Sequence, residues 1–273
     1  NLYFNNTTGI RHWAYSNYGV GSYFNYIITY SGAGGIKWRG DTTYVNKFEN
    51  FNDSNLFEIE ANIGNRSGPD NDIEINPVGS GGIQVDNLVT ITGGKTIKVY
   101  GSNQLDFQGV ISGASANLTL SPSGADTPTV ILRAQNTFTG NLTINGGIVD
   151  VRDTTDPLDV ATIFLGNASG SQDATFRIGA ATVTVDNSIT VQSGNSGTQK
   201  IQMNTTGAGT LSSAVMVTLN KAVTIDVVNG GSLSINGAFT GNNNFVTKTS
   251  AGTLNLNGTA DNASLGLTNN AGT

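Results

Sequence analysis

From Gly79 onward the chain is a succession of runs of three to five residues that alternate apolar and polar and stop at Gly or Asn, and this grammar constrains the fold more than any other feature. Ile83-Gln84-Val85, Thr96-Ile97-Lys98-Val99, Asn117-Leu118-Thr119-Leu120, Thr175-Phe176-Arg177-Ile178, Val223-Thr224-Ile225-Asp226-Val227 and Thr253-Leu254-Asn255-Leu256 are examples. A side-chain period of two, with β-branched residues on one face and Thr, Ser, Asn or Gln on the other, describes strands. No segment sustains the 3.6-residue apolar period of a helix, so the expected class is all-β. Strands this short allow a β-sandwich or a solenoid. Sandwich strands run nearer ~5–6 residues, whereas three to five suit the sides of a coil that turns a corner every few residues. A β-solenoid is therefore expected, with a β-sandwich as the alternative.

Internal echoes strengthen that expectation. Val85-Asp86-Asn87-Leu88-Val89-Thr90-Ile91 returns as Val185-Asp186-Asn187-Ser188-Ile189-Thr190-Val191, and Gly109-Val110-Ile111-Ser112-Gly113 as Gly237-Ala238-Phe239-Thr240-Gly241. Gly146-Gly147-Ile148-Val149-Asp150-Val151 is echoed by Gly230-Gly231-Ser232-Leu233-Ser234-Ile235. The repeating unit is strand, Gly/Asn corner, strand. A single turn cannot bury its apolar face, so turns stack. At ~20–29 residues per turn, the stretch from Gly79 to Thr273 makes roughly seven to ten turns.

Composition bears on partners and chemistry. Charged residues are 12% of the 273, half the roughly 25% of an ordinary domain, and the net charge is −6. With no basic run, the counterion-release term that dominates nucleic-acid affinity has no source. The absence of cysteine removes disulfides, thiolate metal sites and thiol nucleophiles. A single histidine, His12, argues against a His-dependent triad. No apolar run is long enough for a membrane helix, and no charged-then-apolar leader opens the chain, so a secreted form is expected to have lost its leader, and either end could be a cut from something longer.

The aromatic residues divide the chain. Both tryptophans, the histidine and seven of eight tyrosines fall within the first 44 residues. Residues 1–78 are accordingly read as an aromatic-rich N-terminal β segment, a cap or a subunit-contact region, and residues 79–273 as the solenoid repeats.

The segment Asn136-Thr137-Phe138-Thr139-Gly140-Asn141-Leu142-Thr143-Ile144-Asn145-Gly146-Gly147-Ile148-Val149-Asp150-Val151 resembles the autotransporter-associated β-strand repeat: an N-T-[YF]-T-G turn, a T-I strand, a Gly corner and a further strand. Val246 to Gly258 is similar to the stretch that precedes that turn in the family. The resemblance covers about the last half of the chain. It implies a right-handed parallel β-helix of the kind found in secreted passenger domains of Gram-negative and related bacteria, and hence a secreted, extracellular or cell-surface location.

Four groups of residues are candidates for chemistry. Asp150, Asp153 and Asp156, with Asp159, form the densest carboxylate cluster, read either as an exposed loop after a strand, as a calcium site, or as catalytic carboxylates. Asp70, Asp72 and Glu74 alternate and would share one face, which a calcium ion would relieve; the preceding Gly68-Pro69 suggests a solvated turn instead. Arg39-Gly40-Asp41 matches the integrin-recognition tripeptide and reads otherwise as a hairpin turn. Leu2, Tyr3, Phe4, Trp13 and Tyr15 are placed at a cap or subunit contact, because an open solenoid end exposes unpaired backbone groups that proteins cover; exposed aromatics there could alternatively stack on sugars.

The expected function is an extracellular structural solenoid, without catalysis or a resident cofactor, that self-associates end to end by strand addition into a rod or filament. An adhesin-type passenger binding glycans is the alternative, and a carbohydrate-active β-helix enzyme the third.

Overall fold

The computed structural model describes the chain except residues 1, 6–9, 15–26, 32–35, 41–42, 45–46, 51–55, 61, 65–71, 154–155 and 259–264, with side chains from Phe48 onward apart from Asn50. Among the described residues there is no helix, and each paired strand lies parallel to its partner one turn away. The protein is a parallel β-solenoid. The sandwich alternative falls because its strands pair antiparallel across hairpins, whereas here consecutive strands occupy different sheets. Hydrogen-bonded side chains on neighbouring turns are 20 to 27 residues apart.

Two compact units make up the chain, Asn1–Gly140 and Asn141–Thr273. In the first, one sheet runs Leu2–Asn5, Ile27–Ser31, Lys47–Asn50, Ile73–Pro77, Thr96–Val99, Asn117–Leu120. A second runs Ile10–Ala14, Ile36–Gly40, Phe57–Ile59, Ile83–Val85, Gln104–Phe107, Thr129–Leu132, and a third, of shorter strands, runs from Thr43–Tyr44 to Thr137–Phe138. Each turn therefore has three sides. Ile73–Pro77 pairs with Thr96–Val99, and Phe57–Ile59 with Ile83–Val85. The change of composition near Gly79 is thus not a change of pairing.

In the second unit the first sheet runs from Asn141–Ile144 through Thr162–Leu165, Ser188–Val191 and Met216–Leu219 to Ala238–Thr240. The second sheet runs Gly147–Val151, Ala174–Ile178, Gln199–Met203, Val223–Val227, Phe245–Thr249, Gly266–Asn269, and the third Val183–Val185, Ala208–Leu211, Ser232–Ile235, Thr253–Leu256.

The period-two pattern turns into columns once strands stack in register. Ile59, Val85, Phe107 and Leu132 form one interior column of the first unit, and Val149, Phe176, Ile201 and Ile225 one of the second, all 0% exposed. Each such side chain contributes about 1.5–3 kcal/mol by leaving water, which a single turn could not realise alone.

The corners are stitched by asparagine. Asn87 Nδ2 donates to the Glu60 carbonyl and Asn187 Nδ2 to the Val160 carbonyl, each 27 residues earlier. The two echoed Val-Asp-Asn segments therefore fold alike locally. They do not share a side: the first joins the second sheet to the third, the other the third sheet to the first. Asn136, 1% exposed, accepts from the Ile111 N–H at 2.8 Å and donates to the Ala134 carbonyl at 2.7 Å. Glycine lets one corner lie directly on the next, since a Cβ on Gly237 would sit 1.8 Å from the Val215 carbonyl oxygen.

Candidate functional site

The outward face of the second sheet in the second unit carries a continuous polar ladder. Asp150, Arg177, Gln202, Asp226 and Thr249 are successive Cα partners in one register column. Arg177 Nη1 lies 3.8 Å from Asp150 Oδ2, Arg177 Nε donates to Gln202 Oε1 at 2.7 Å, and Gln202 Nε2 donates to Asp226 Oδ2 at 2.9 Å. Thr249 Oγ1 and Ser250 Oγ donate to Asp226 Oδ1 at 3.2 and 2.6 Å, and Lys200 Nζ lies 3.7 Å from Oδ2. Burial pushes the Asp226 carboxyl up, but Ser250 and Gln202, then Lys200 and Thr249, outweigh it and hold the group below the usual range. Asp150 and Asp226 are three turns apart, roughly 14 Å at ~4.8 Å per turn. That exceeds the ~5–9.5 Å separation of paired glycosidase carboxylates.

Asp150 lies in the strand read there from sequence, Gly147–Val151, but is buried, not exposed. It is 0% exposed and meets Arg152 Nη2 at 2.9 Å as well as Arg177. Its Oδ1 has no hydrogen-bond donor and occupies the space a Cβ on Gly179 would need, 1.9 Å away. Two guanidinium groups thus neutralise this carboxylate. Beyond it Pro157, Leu158 and Val160 are buried, while Asp159 is exposed. Chain stacking decided the burial, because an adjoining turn covers what a lone strand end would expose. Asp153 and Asp156 are half-buried and not gathered with Asp150 into one ligand cluster. Burial raises the Asp156 pKa, with Asp186 and Asp159 adding to it.

Of the second carboxylate group, Glu74 lies in the strand Ile73–Pro77 and Asp72 directly precedes that strand, while Asp70 falls outside the described residues. Lys98 of the next turn supplies the cation: its Nζ is 2.7 Å from Asp72 Oδ2, it is the Cα partner of Glu74, and the Thr96 N–H reaches Asp72 Oδ1 at 2.8 Å. Burial acts to raise Asp72, but Lys98 and the Thr96 N–H prevail and lower it.

A group missed from sequence is Glu58, Glu60 and Asp86. Among the described residues it is the set of three carboxylates whose ligand oxygens lie within 4.8 Å of one another. Glu58 and Glu60 are two apart, but Asp86 joins them from the next turn, a register no local pattern reveals. Burial raises the Asp86 pKa; Gln84, donating to Oδ1 at 2.6 Å, opposes it, and Glu58 and Glu60 add to it. Lys37 is the Cα partner of Glu58, and Arg39 stands one residue past the Trp38–Ile59 pair. The Arg39-Gly40 part of the integrin-like tripeptide is therefore in the parallel strand Ile36–Gly40, not in a hairpin.

Leu2, Tyr3 and Phe4 lie in Leu2–Asn5 and Trp13 in Ile10–Ala14; Tyr15 lies outside the described residues. No protein-family model, curated protein or solved structure matches the chain.

Proposed function

We propose that the chain is a structural, non-catalytic segment of an extracellular or cell-surface β-solenoid rod that lengthens end to end by parallel strand addition between copies. The observation that carries this reading is the state of the sheet ends. Leu2–Asn5 and Ile10–Ala14, which hold Leu2, Tyr3, Phe4 and Trp13, are each the terminal strand of a sheet, with a described partner on one side. Gly266–Asn269 is terminal in the second unit, and there Leu267 is 56% exposed although Val223 and Val246, its predecessors in the interior column, are buried. An apolar side chain exposed on the last described strand of a sheet is the kind of surface that strand addition covers.

The engagement of Asp150, Asp226 and Asp72 by arginine, lysine and hydrogen-bond donors supports the non-catalytic part. The resemblance of Asn136 to Val151 to the autotransporter-associated repeat supports the location. Sedimentation velocity and electron microscopy of the purified chain test the proposal. Concentration-dependent rods are expected, lost on deleting residues 1–8 and in Leu267→Lys. A chain that stays monodisperse at high concentration, or assembles equally well in both variants, sinks it.

A further inference from the structure

A lysine stands where the apolar core of the second unit would otherwise continue. The column Val149, Phe176, Ile201, Ile225 reaches Lys248 on the next turn, and Lys248 is only 2% exposed. Its Nζ donates to three main-chain carbonyls: Thr249 at 2.9 Å, Ser250 at 2.6 Å and Ala271 at 2.9 Å. Three acceptors match the three protons of an ammonium group. An isoleucine, as one turn earlier, would fill the column but remove the charged donor that the Thr249, Ser250 and Ala271 carbonyls share, and with it three hydrogen bonds to an ionised group. Burial pushes the Lys248 pKa down while the Asp226 charge opposes, so the site holds its ammonium by geometry against a desolvation cost.

We infer that the Thr249, Ser250 and Ala271 carbonyls form a cation cage at this corner, shaped for a primary ammonium and filled by the chain's own Lys248. The cage joins two turns. Thr249 and Ser250 belong to the turn of Lys248, and Ala271 to the next, where the Asn270 N–H also donates to the Lys248 carbonyl at 3.0 Å. The ammonium therefore holds Gly266–Asn269 in register on Phe245–Thr249, whether or not copies associate. Lys221 uses the same chemistry at another corner, donating to the carbonyls of Asn195 and Gly197 on the preceding turn.

The test uses the full chain and its Lys248→Ala variant, with propylammonium chloride as the probe, since it replaces the atoms removed. The variant is expected to exchange the Asn270 amide about tenfold faster or more and to unfold roughly 4 °C lower. Propylammonium should restore at least half of both changes. Tetramethylammonium at equal ionic strength, with the same charge but no N–H donor, should restore neither. Equal effects of the two salts, or a Lys248→Met variant that matches the native chain in both readouts, would overturn the inference. Should the alanine variant fail to fold, the native protein decides: a slowly exchanging Lys248 ammonium resonance at neutral pH is expected, and its absence refutes the cage.

Discussion

Individual carboxylates in this protein differ by what the neighbouring turn places beside them. Asp226 is held below its unfolded pKa by donors from the turns on either side. Its contribution is therefore complete above the unfolded value of about 3.9 and is lost as pH falls through the lower folded value. Asp226→Asn should cost about 1–2 kcal/mol at pH 7 and flatten the acid limb of the stability curve, read by urea unfolding at stepped pH. Asp86 has the opposite sign. Its folded pKa is raised, so its ionised form weakens the fold at neutral pH, and protonation relieves this as pH falls through the folded value. Asp86→Asn should stabilise the fold at pH 7 by about 0.5 kcal/mol, read as a higher urea midpoint. Asp150 and Gly179 form a third case, since the glycine leaves the volume the buried carboxylate fills. Asp150→Asn and Gly179→Ala should each cost about 2 kcal/mol, and the double variant well under the sum, because one removes the charge and the other the position of the same ion pair with Arg152 and Arg177.

Corners, more than strands, carry the specificity of each element. Interior columns here mix β-branched, Leu and Phe side chains, whereas a corner must meet the main-chain groups of the corner beneath it. Asn187→Ala removes the donor to the Val160 carbonyl and should cost about 1–2 kcal/mol. Gly237→Ala puts a methyl against the Val215 carbonyl and should cost at least about 2 kcal/mol. Amide exchange mapped by residue checks both, with faster exchange expected around the altered corner and little change several turns away. Strands with clean alternation, such as Thr96–Val99 and Val223–Val227, are legible from sequence with correct bounds. Gln104–Phe107 and Ala208–Leu211 are not, because Asp106 and Gly209 interrupt the pattern. In the structure Asp106 is 4% exposed and paired with Arg133 at 2.9 Å, and a Cβ on Gly209 would press on Met203 Sδ at 2.8 Å. Both irregularities answer to a neighbour on another turn.

For the molecule as a whole, net charge opposes the proposed end-to-end association. A charge of −6 makes approaching copies repel, and salt screens that repulsion over a Debye length of ~10 Å at 0.1 M. End-to-end association is therefore expected to speed up between low and physiological ionic strength, followed by light scattering; slower assembly in salt would mean that charge pairs form the joint. What the sequence determined by itself is the class of fold. Period-two runs and Gly/Asn corners give short strands with one face to bury, in a solenoid or a sandwich, and the parallel pairing decides for stacked turns. Only the tertiary structure decided which residues share a site. From Asp150 to Asp226 the ladder follows the fourth residue of successive five-residue strands, but it passes to the fifth at Thr249, so it can be traced only once the register is known. Glu58 with Asp86, and Lys248 with Ala271, are more than 20 residues apart. Turn lengths vary, so no fixed period predicts these neighbours, and main-chain pairing between turns sets the register that brings them together.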